Sequence, residues 1–296
     1  MTNIAFIGLG NMGGPMAANL VKARHRVMGF DLVPAAREQA KAAGVAIATS
    51  ARDAVADSDV IITMLPAGRH LLSVCADILP AVKAGALFID SSTVDVDSAS
   101  RAHALAAECG LLSLDAPVSG GVGGARAATL TFMAGGSEEA FATAEPILSQ
   151  MGKRVVHCGK AGAGQAAKIC NNMILGISMI GVAEAFVLAE KLGLSHQALF
   201  DVASTSSGQC WSLTTYCPVP GLVPTSPANT GYKPGFAAAL MLKDLTLAQA
   251  AANASGATTP LGAQAAQIYL LFCSQGGKDT DFSGVVQFLR GHGPTV

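Results

Sequence analysis

The amino-acid sequence predicts an α/β protein, with an N-terminal, doubly wound parallel sheet followed by an all-α domain. Short β-rich apolar segments alternate with alanine-rich amphipathic segments up to about residue 158, a pattern typical of a parallel sheet with helices on both faces. A glycine-rich turn follows the first of these strands. From residue 163 onward, apolar residues recur at helical spacing instead.

Seven strands are predicted in the first part of the chain: Ile4–Gly8, Arg26–Phe30, Val60–Leu65, Leu87–Asp90, Leu111–Asp115, Thr129–Ala134 and Val155–Cys158. The second part is expected to begin with a long helix at Gln165–Leu192, which Gly193 would end. Further helices are predicted after a proline-rich irregular loop, at Phe236–Ser255 and Leu261–Gln275. We therefore expect two domains, residues 1–162 and 163–296, as the length of 296 residues also suggests.

Composition and charge exclude several classes of partner. Hydrophobic residues make up 51% of the chain and charged residues 13%, so the chain is expected to fold. Its 19 basic and 20 acidic residues form no run of like charge, and neither nucleic acid nor a membrane is an expected partner. The apolar stretch around Met173–Ala183 is shorter than the ~20 residues that span a bilayer. The low charge content favours a homo-oligomer.

The cysteines and histidines predict neither a disulfide framework nor a metal site. The seven cysteines are an odd number, are widely scattered and include no C-x-x-C pair. The six histidines never occur at ligand spacing from an acid or from each other. Because the first strand is predicted to begin by residue 3, we expect no secretion signal. We expect a cytoplasmic protein, with a processed organellar one as the alternative.

The glycine-rich turn has the spacing of a dinucleotide-binding site, Gly8-x-Gly10-x-x-Gly13, between a strand and an alanine-rich helix. Gly8 would allow the tight turn, Gly10 would let a pyrophosphate approach the backbone, and Gly13 would let helix and strand pack closely. This context favours a Rossmann-type domain over an ordinary glycine-rich turn. The residues expected to contact the cofactor here are Gly8, Leu9, Gly10, Asn11, Met12 and Gly13.

Asp31 indicates which dinucleotide binds. It ends the second predicted strand, 21 residues after Gly10, close to the usual spacing of ~20. A carboxylate there accepts hydrogen bonds from both ribose hydroxyls and repels a 2′-phosphate, and the next residues, Leu32 and Val33, include no arginine. The sequence therefore favours NAD over NADP. A role of Asp31 in capping the helix at Pro34 is compatible with this.

Within the segment Gly162–Asn172, Lys168 is the one lysine of an otherwise apolar helix, and Asn172 lies one turn further along the same face. A lysine in such a position is costly unless its charge is paired or used, and desolvation would lower its pKa toward a range useful for proton transfer. The alternative is a lysine at the edge of the helix whose amine extends to solvent.

Four motifs together resemble the β-hydroxyacid dehydrogenase family, nearly from end to end of the chain: Gly8–Gly13, Asp115–Gly121, Gly164-x-x-x-Lys168-x-x-Asn171-Asn172 and Lys243-Asp244. Further segments resemble the branch of that family that oxidises 3-hydroxyisobutyrate: Gly121–Ala125, Leu130–Met133, Ser207–Ser212, Pro218–Gly221 and Asp281–Leu289. Ala128 departs from the family pattern, which more often has glycine at this position.

The resemblance implies the catalytic roles. Lys168 would be the general base when the alcohol is oxidised and the general acid when the aldehyde is reduced. Asn172 would position the substrate or the lysine. Ser119, Gly120 and Gly121 would hold the substrate carboxylate with a hydroxyl and backbone N–H groups. The alternative for this last segment is a flexible surface loop.

It also implies further contacts to the cofactor and substrate. Leu65 and Pro66 would lie along the adenosine and ribose side of the cofactor, Thr93 near the nicotinamide and substrate, and Lys243 against the cofactor. This location is physically sensible, because ligands of open α/β sheets lie outside the carboxyl ends of the strands.

Three other side chains would line the substrate pocket. Asp244 would be an active-site acid, and Phe236, on the same predicted helix, an apolar wall. Without the resemblance, Lys243-Asp244 would be interpreted as a solvated charge pair. Trp211, the only tryptophan, would either line the pocket or anchor its loop.

We therefore expect an NAD-dependent dehydrogenase that oxidises a small 3-hydroxy carboxylic acid. 3-Hydroxyisobutyrate, an intermediate of valine degradation, would give methylmalonate semialdehyde, and the enzyme would be a homodimer or homotetramer. The alternatives within the family are L-serine, tartronate semialdehyde and succinic semialdehyde as substrates. An alternative of another class is an NAD-binding scaffold that has lost the chemistry.

Overall fold

The computed structural model describes residues 1–291 and divides the chain into two compact units, Met1–Lys168 and a second unit that begins at Ile169. The first unit is an α/β sheet domain and the second is helical, as the sequence predicts. Within the described residues, the strands are β1 (Asn3–Ile7), β2 (Arg26–Phe30), β3 (Ala46–Ile47), β4 (Val60–Thr63), β5 (Leu87–Asp90), β6 (Leu112–Asp115), β7 (Val118–Ser119), β8 (Leu130–Gly136) and β9 (Gly152–Gly159).

The described helices begin after β1 and continue through the second unit. They are α1 (Gly13–Lys22), α2 (Pro34–Ala42), α3 (Ala51–Val55), α4 (Gly68–Ile78), α5 (Val96–Glu108), α6 (Gly121–Ala127), α7 (Glu138–Leu148), α8 (Ala163–Lys191), α9 (His196–Ala203), α10 (Trp211–Thr214), α11 (Ala238–Ser255), α12 (Pro260–Ser274) and α13 (Val285–Leu289). Short 3-10 turns occur at Leu79–Ala81, Pro227–Thr230, Gly277–Asp279 and Phe282–Gly284.

The sheet has the order β3-β2-β1-β4-β5-β6-β8-β7, and β9 also pairs with β8. All pairs from β3 to β6 are parallel, whereas β8 runs antiparallel to β6 and β7 and parallel to β9. The strand order reverses between β1 and β4, so the crevice beside their carboxyl ends is the topological switch point at which such sheets bind ligands. The glycine turn after β1 lies there.

Two apolar layers cover the sheet, as the near-continuous hydrophobic strands predict. Successive residues of β1 alternate between them: Ile4 and Phe6 belong to one buried cluster, and Ala5 and Ile7 belong to the other. The strands are therefore held from both sides, and the loops at their carboxyl ends start from rigid positions.

The second unit is built around α8, whose first six residues belong to the first unit. Buried Met179 and Ala183 join a core with α11 and α12, and Phe186 joins a smaller cluster with Leu213 and Cys217. By length and composition alone α8 could cross a membrane, and 39% of its most apolar window is buried inside the structure. Core helices of globular proteins have the same properties.

The structure departs from the predicted elements in a few places. Two-residue strands β3 and β7 were not predicted, because two residues show no periodicity. The predicted helix from Phe236 is wrong at its start: α11 begins at Ala238, and Phe236 precedes it. In residues 169–291, the β pairing is the isolated bridge between Ala237 and Asp281, in agreement with an all-α second domain.

Candidate active site

The glycine turn has the geometry that a dinucleotide requires. Gly8 has a φ of +96°, and a Cβ there would lie 2.2 Å from the carbonyl oxygen of Met64. A Cβ on Gly13 would lie 1.9 Å from the carbonyl oxygen of Gly8, so the start of α1 packs directly on the turn. A Cβ on Gly10 would meet no atom within 4 Å. The backbone at Gly10 is thus open to the approach of a phosphate, as predicted for this turn.

The first turn of α1 carries neither an acidic residue nor a side-chain cap. No acidic side chain of the first turn therefore offsets the positive end of the helix dipole, which suits an anionic pyrophosphate.

Asp31 lies directly beside this turn. Its Oδ2 accepts a hydrogen bond of 2.7 Å from the backbone N–H of Leu9, and its Oδ1 accepts one of 2.7 Å from the N–H of Val33. A carboxylate has about four acceptor positions, so these two bonds orient the group and leave capacity for ribose hydroxyls. The residues present therefore fit NAD, with the glycine turn at the pyrophosphate and Asp31 at the adenosine ribose.

The predicted cofactor segment at Leu65 and Pro66 is tied to the segment after β5. The N–H of Leu65 donates to Ser92 Oγ (2.8 Å), and Ser92 Oγ donates to Asp90 Oδ1 (2.5 Å). Thr63 Oγ1 donates to the same Asp90 oxygen (2.7 Å). These contacts tie the segment after β4 to the segment after β5, on the β4 side of the crevice, and Thr93 follows directly after them.

Asp90 is an acid that sequence reasoning missed. Burial raises its pKa from 3.8 to about 6, against the lowering effect of its hydrogen bonds from Ser92 and Thr63. Its Oδ2 has no hydrogen-bond partner within residues 1–291. The only sequence signal was its position at the end of a strand.

The segment expected to hold the substrate carboxylate begins in β7, which pairs with β8. Ser119 is opposite Thr131, Gly120 has a φ of +132° and Gly121 a φ of +62°. These positive φ values favour glycine. Such a backbone conformation is what the expected binding of a carboxylate by backbone N–H groups would need. The pairing with β8 argues against a flexible surface loop.

Asp115, the first residue of the Asp115–Gly121 motif, contacts the start of α8. It is buried, and its carboxylate accepts hydrogen bonds from the backbone N–H groups of Gly162 (2.7 Å) and Gln165 (2.8 Å). His103 Nε2 lies 3.0 Å from Asp115 Oδ1. Asp115 therefore holds the N-terminus of α8, a role that sequence reasoning missed because the partners are about 50 residues apart.

Lys168 and Asn172 lie one turn apart on α8 and are 6% and 1% exposed. The predicted common face therefore points inward. The low exposure of Lys168 argues against the alternative, in which its amine extends to solvent. A lysine held inside an apolar helix must be stabilised by its surroundings or by its reaction.

Asn172 is held in turn by residues of the second unit. Its Nδ2 donates to Asp244 Oδ2 (2.5 Å), and its Oδ1 accepts from Asn171 Nδ2 (2.9 Å). Asp244 is buried, and its Oδ1 lies 3.7 Å from Lys243 Nζ. Lys243-Asp244 is therefore not a solvated charge pair, since the acid is buried and orients the Asn172 amide.

The two predicted aromatic residues of the pocket share one support in the second unit. Trp211 opens α10 and stacks on Tyr216 at 4.9 Å between ring centroids, and Tyr216 stacks on Phe282 at 5.3 Å. Phe236 meets Phe282 edge to face at 5.7 Å. Trp211 nevertheless stays 49% exposed, so it anchors its segment and also presents a face to solvent.

Asp281 fixes this aromatic group. Its Oδ2 accepts hydrogen bonds from Tyr216 Oη (2.9 Å) and from the N–H groups of Gly235 (2.9 Å) and Phe236 (3.0 Å). Burial beside Asp281 raises the pKa of Tyr216, so the phenol stays a donor. Asp281 was part of a motif recognised in the sequence, but its structural role was not predicted.

Within residues 1–291, no group of three or more His, Cys, Asp or Glu side chains could hold a metal ion. Two histidines pair with acids distant in sequence: His103 with Asp115, and His196 with Glu190. His292 lies outside the described residues.

Comparison with known proteins agrees with this geometry. Residues 3–159 match the model of the NAD binding domain of 6-phosphogluconate dehydrogenase, and residues 162–289 match that of the NAD-binding domain of NADP-dependent 3-hydroxyisobutyrate dehydrogenase. The chain is 58% identical over 290 residues to a probable 3-hydroxyisobutyrate dehydrogenase of Mycobacterium bovis, covering 98% of each chain. It is 49% identical to an NAD-dependent L-serine dehydrogenase of Pseudomonas aeruginosa, again over 98% of each.

A solved structure is similarly close. The 3-hydroxyisobutyrate dehydrogenase of Mycobacterium tuberculosis, determined with L-serine, is 58% identical and superposes with a TM-score of 0.95, covering 98% of this chain and 99% of that one. The fold is therefore shared over nearly the whole chain.

Proposed function

Because this chain belongs to the 3-hydroxyisobutyrate dehydrogenases of the β-hydroxyacid dehydrogenase family, we propose that it oxidises 3-hydroxyisobutyrate to methylmalonate semialdehyde. It is an NAD-dependent dehydrogenase that acts on a CH–OH group. The observation that carries the proposal is the buried pair of Lys168 and Asn172, one turn apart on α8, with Asn172 held by Asp244.

The cofactor is NAD, although the family model for residues 162–289 is named after an NADP-dependent enzyme. The Asp31 carboxylate, beside the glycine turn, would repel a 2′-phosphate, and Leu32 and Val33 supply no positive charge to offset it. NAD supplies the hydride acceptor when it is bound.

The side chains of this protein would manage the proton and the orientation of the substrate. Lys168 would take the proton of the substrate hydroxyl during oxidation and return it to the carbonyl oxygen during reduction. Asn172, oriented by Asp244, would hold the substrate or the amine in place. Ser119, Gly120 and Gly121 would bind the carboxylate through a hydroxyl and backbone N–H groups.

Other residues would complete the site. Leu65, Pro66, Thr93 and Lys243 would contact the cofactor, and Thr93, Asp244, Phe236 and Trp211 the substrate. The hydrogen bond from Leu65 to Ser92 and the aromatic support of Trp211 and Phe236 are consistent with these roles, since both fix the positions of the segments concerned.

L-Serine is a second candidate substrate. A 49% identical relative is named an NAD-dependent L-serine dehydrogenase, and the 58% identical solved structure is titled with L-serine. L-Serine and 3-hydroxyisobutyrate share the carboxylate and the primary alcohol and differ at C2, so one carboxylate-binding segment and one lysine would serve both.

A spectrophotometric panel tests the proposal. The protein is incubated with NAD or NADP and each of 3-hydroxyisobutyrate, L-serine, glycerate and 4-hydroxybutyrate, and absorbance is followed at 340 nm. We expect the highest kcat/KM with NAD and 3-hydroxyisobutyrate. A higher value with L-serine would reassign the substrate, and no reduction of either cofactor would favour a scaffold without catalytic activity.

We also propose a division into domains at residues 162/163, a cytoplasmic location and a homodimer or homotetramer, with neither nucleic acid nor a membrane as partner. An exposed apolar strip on α8 supports the oligomer: Ile174, Gly181 and Leu188 recur every seven residues, and the two large side chains are 64% and 58% exposed. Burial of such a strip against a second copy would be favourable.

A further inference from the structure

Gln165 is a fully buried polar residue to which the mechanism above gives no role. It lies in the first turn of α8, three residues before Lys168, and is 0% exposed. Its Nε2 donates to the carbonyl oxygen of Ser92 (2.8 Å), and its Oε1 accepts from the N–H of Val94 (3.1 Å). Both polar atoms of the amide are therefore used, and both partners are backbone groups of the segment after β5.

These two hydrogen bonds lie on either side of Thr93. The carbonyl of Ser92 and the N–H of Val94 belong to the peptide groups before and after that residue, so one side chain fixes the backbone of Thr93 from both directions. A side-chain amide offers a donor and an acceptor side by side without carrying a charge. A methionine of similar length would leave both buried backbone groups unpaired.

The turn that carries Gln165 is itself fixed to the sheet. Asp115 accepts hydrogen bonds from the N–H groups of Gly162 and Gln165, and a Cβ on Gly164 would lie 2.2 Å from the carbonyl oxygen of Met133. The start of α8 can therefore approach the sheet only because residue 164 is glycine. The Gln165 side chain extends from a rigid base.

We propose that Gln165 is a positioning residue, which sets the backbone of Thr93 relative to the helical turn that carries Lys168. This inference rests on the proposed function, in which Thr93 lies beside the nicotinamide and Lys168 exchanges the proton. Gln165 and Lys168 are three positions apart on α8, about 4.5 Å along the helix axis. Hydride transfer depends steeply on such spacing, and a misplacement of about 1 Å costs up to about 100-fold in rate.

Single-turnover kinetics of Gln165→Met separate positioning from folding. The rate constant for formation of NADH in stopped flow reports the transfer step, and its amplitude reports the fraction of competent enzyme. We expect the rate constant to fall about 10- to 100-fold with full amplitude and with a Kd for NAD within about twofold of wild type. Gln165→Glu keeps both contacts only while its carboxyl group is protonated, because a carboxylate would face the carbonyl oxygen of Ser92. We therefore expect its loss of rate to grow as the pH rises.

The matched control is Gln150→Met. Gln150 is a half-buried glutamine of the same unit, and its Oε1 lies 2.7 Å from Nε2 of His25, away from the segment after β5. Loss of this hydrogen bond should leave the transfer rate constant at the wild-type value. Hydrogen exchange of the peptide that contains Val94 provides a readout independent of activity: exchange should be faster in Gln165→Met and unchanged in Gln150→Met.

Two results would overturn the inference while leaving the proposed function intact: a wild-type transfer rate constant in Gln165→Met, or a reduced amplitude with an unchanged rate constant, which is the behaviour of a purely structural residue. If wild-type protein transfers hydride from none of the panel acids, the proposed function fails instead. Amide exchange at Val94 then still reports whether Gln165 holds the Thr93 segment.

Discussion

At the scale of single residues, the proposed proton transfer would explain why Lys168 is buried in an apolar helix. We expect Lys168→Ala to lower kcat about 10²- to 10⁴-fold, because the general base is removed, while the Kd for NAD stays near wild type. Steady-state assays and fluorescence titration measure the two quantities. Lys191→Ala, at the exposed end of the same helix, is the control and should retain full activity. Retained turnover in Lys168→Ala would remove this residue from the mechanism.

Asp31 combines a structural and a selective role, because its carboxylate also accepts the N–H groups of Leu9 and Val33. Asp31→Asn keeps one oxygen for the turn and removes the charge. We expect the ratio of kcat/KM for NAD over NADP to fall about tenfold, with Asp31→Ala showing the same trend and lower stability. If the ratio does not move in either variant, the assignment of Asp31 to the ribose is wrong.

Asp90 is expected to make stability depend on pH. Its pKa of about 6 in the folded protein is higher than the ordinary 3.8, so the folded state binds this proton more tightly than the unfolded chain does. The free energy of unfolding therefore falls as pH rises from about 4 to about 6 and stays lower above that range.

Asp90→Asn removes this titration and keeps an oxygen for Thr63 and Ser92. We expect it to raise the free energy of unfolding at pH 7.5 by about 1–3 kcal/mol, and by much less at pH 4. Urea denaturation at the two pH values measures the difference, with Asp57→Asn, an exposed acid, as control. An equal effect at both pH values would show that the pKa of Asp90 is not raised.

At the scale of elements, the C-terminus of α6 places Ala128 in a backbone conformation that favours glycine. Ala128 has a φ of +55°, in the left-handed region that L-residues with a Cβ adopt at a cost of about 1–2 kcal/mol. Ala128→Gly removes this cost but adds conformational entropy to the unfolded chain, so we expect a net stabilisation of about 0.5–1 kcal/mol.

Thermal denaturation of Ala128→Gly tests this expectation against Ala127→Gly. Ala127 is the exposed last residue of the same helix and has no positive φ, so glycine there should destabilise the protein by about 0.5–1 kcal/mol. Opposite signs at neighbouring positions are the expected result. Destabilisation at both positions would contradict the interpretation of the turn.

The position of the long helix α8 depends on the contacts of its N-terminus. Its N-terminus is held by an acid from β6, and the first two polar side chains on its inward face, Gln165 and Lys168, follow within two turns. If α8 presents the catalytic side chains, as proposed, it must not slide along its axis, and the two hydrogen bonds to Asp115 oppose such a movement.

At the scale of the whole molecule, the exposed strip of α8 predicts self-association. Leu188→Glu places a charge on this strip, and we expect it to lower the molar mass measured by light scattering after gel filtration. Val202→Glu, an exposed apolar position on α9, should leave the mass unchanged. A monomeric wild-type protein would contradict the proposed oligomer.

The sequence by itself determined what depends on local pattern. The alternation of strands and helices, the Gly8–Gly13 turn with Asp31, and the turn that separates Lys168 from Asn172 are all read from short spacings, since backbone geometry fixes periods of 2 and 3.6 residues. Two residues are too few to show a period, so strands β3 and β7 were missed. The start of α11 was misplaced by two residues, at Phe236.

Only the tertiary structure decided which distant groups meet. Asp115 reaches the start of α8, Asp244 reaches Asn172, and Asp281 reaches Tyr216, each across 47 or more residues. No local period encodes such pairs, because they form only once the elements that carry them have packed. The inward side chains that surround the chemistry are therefore a property of the fold, whereas the residues proposed to perform it are visible in the sequence.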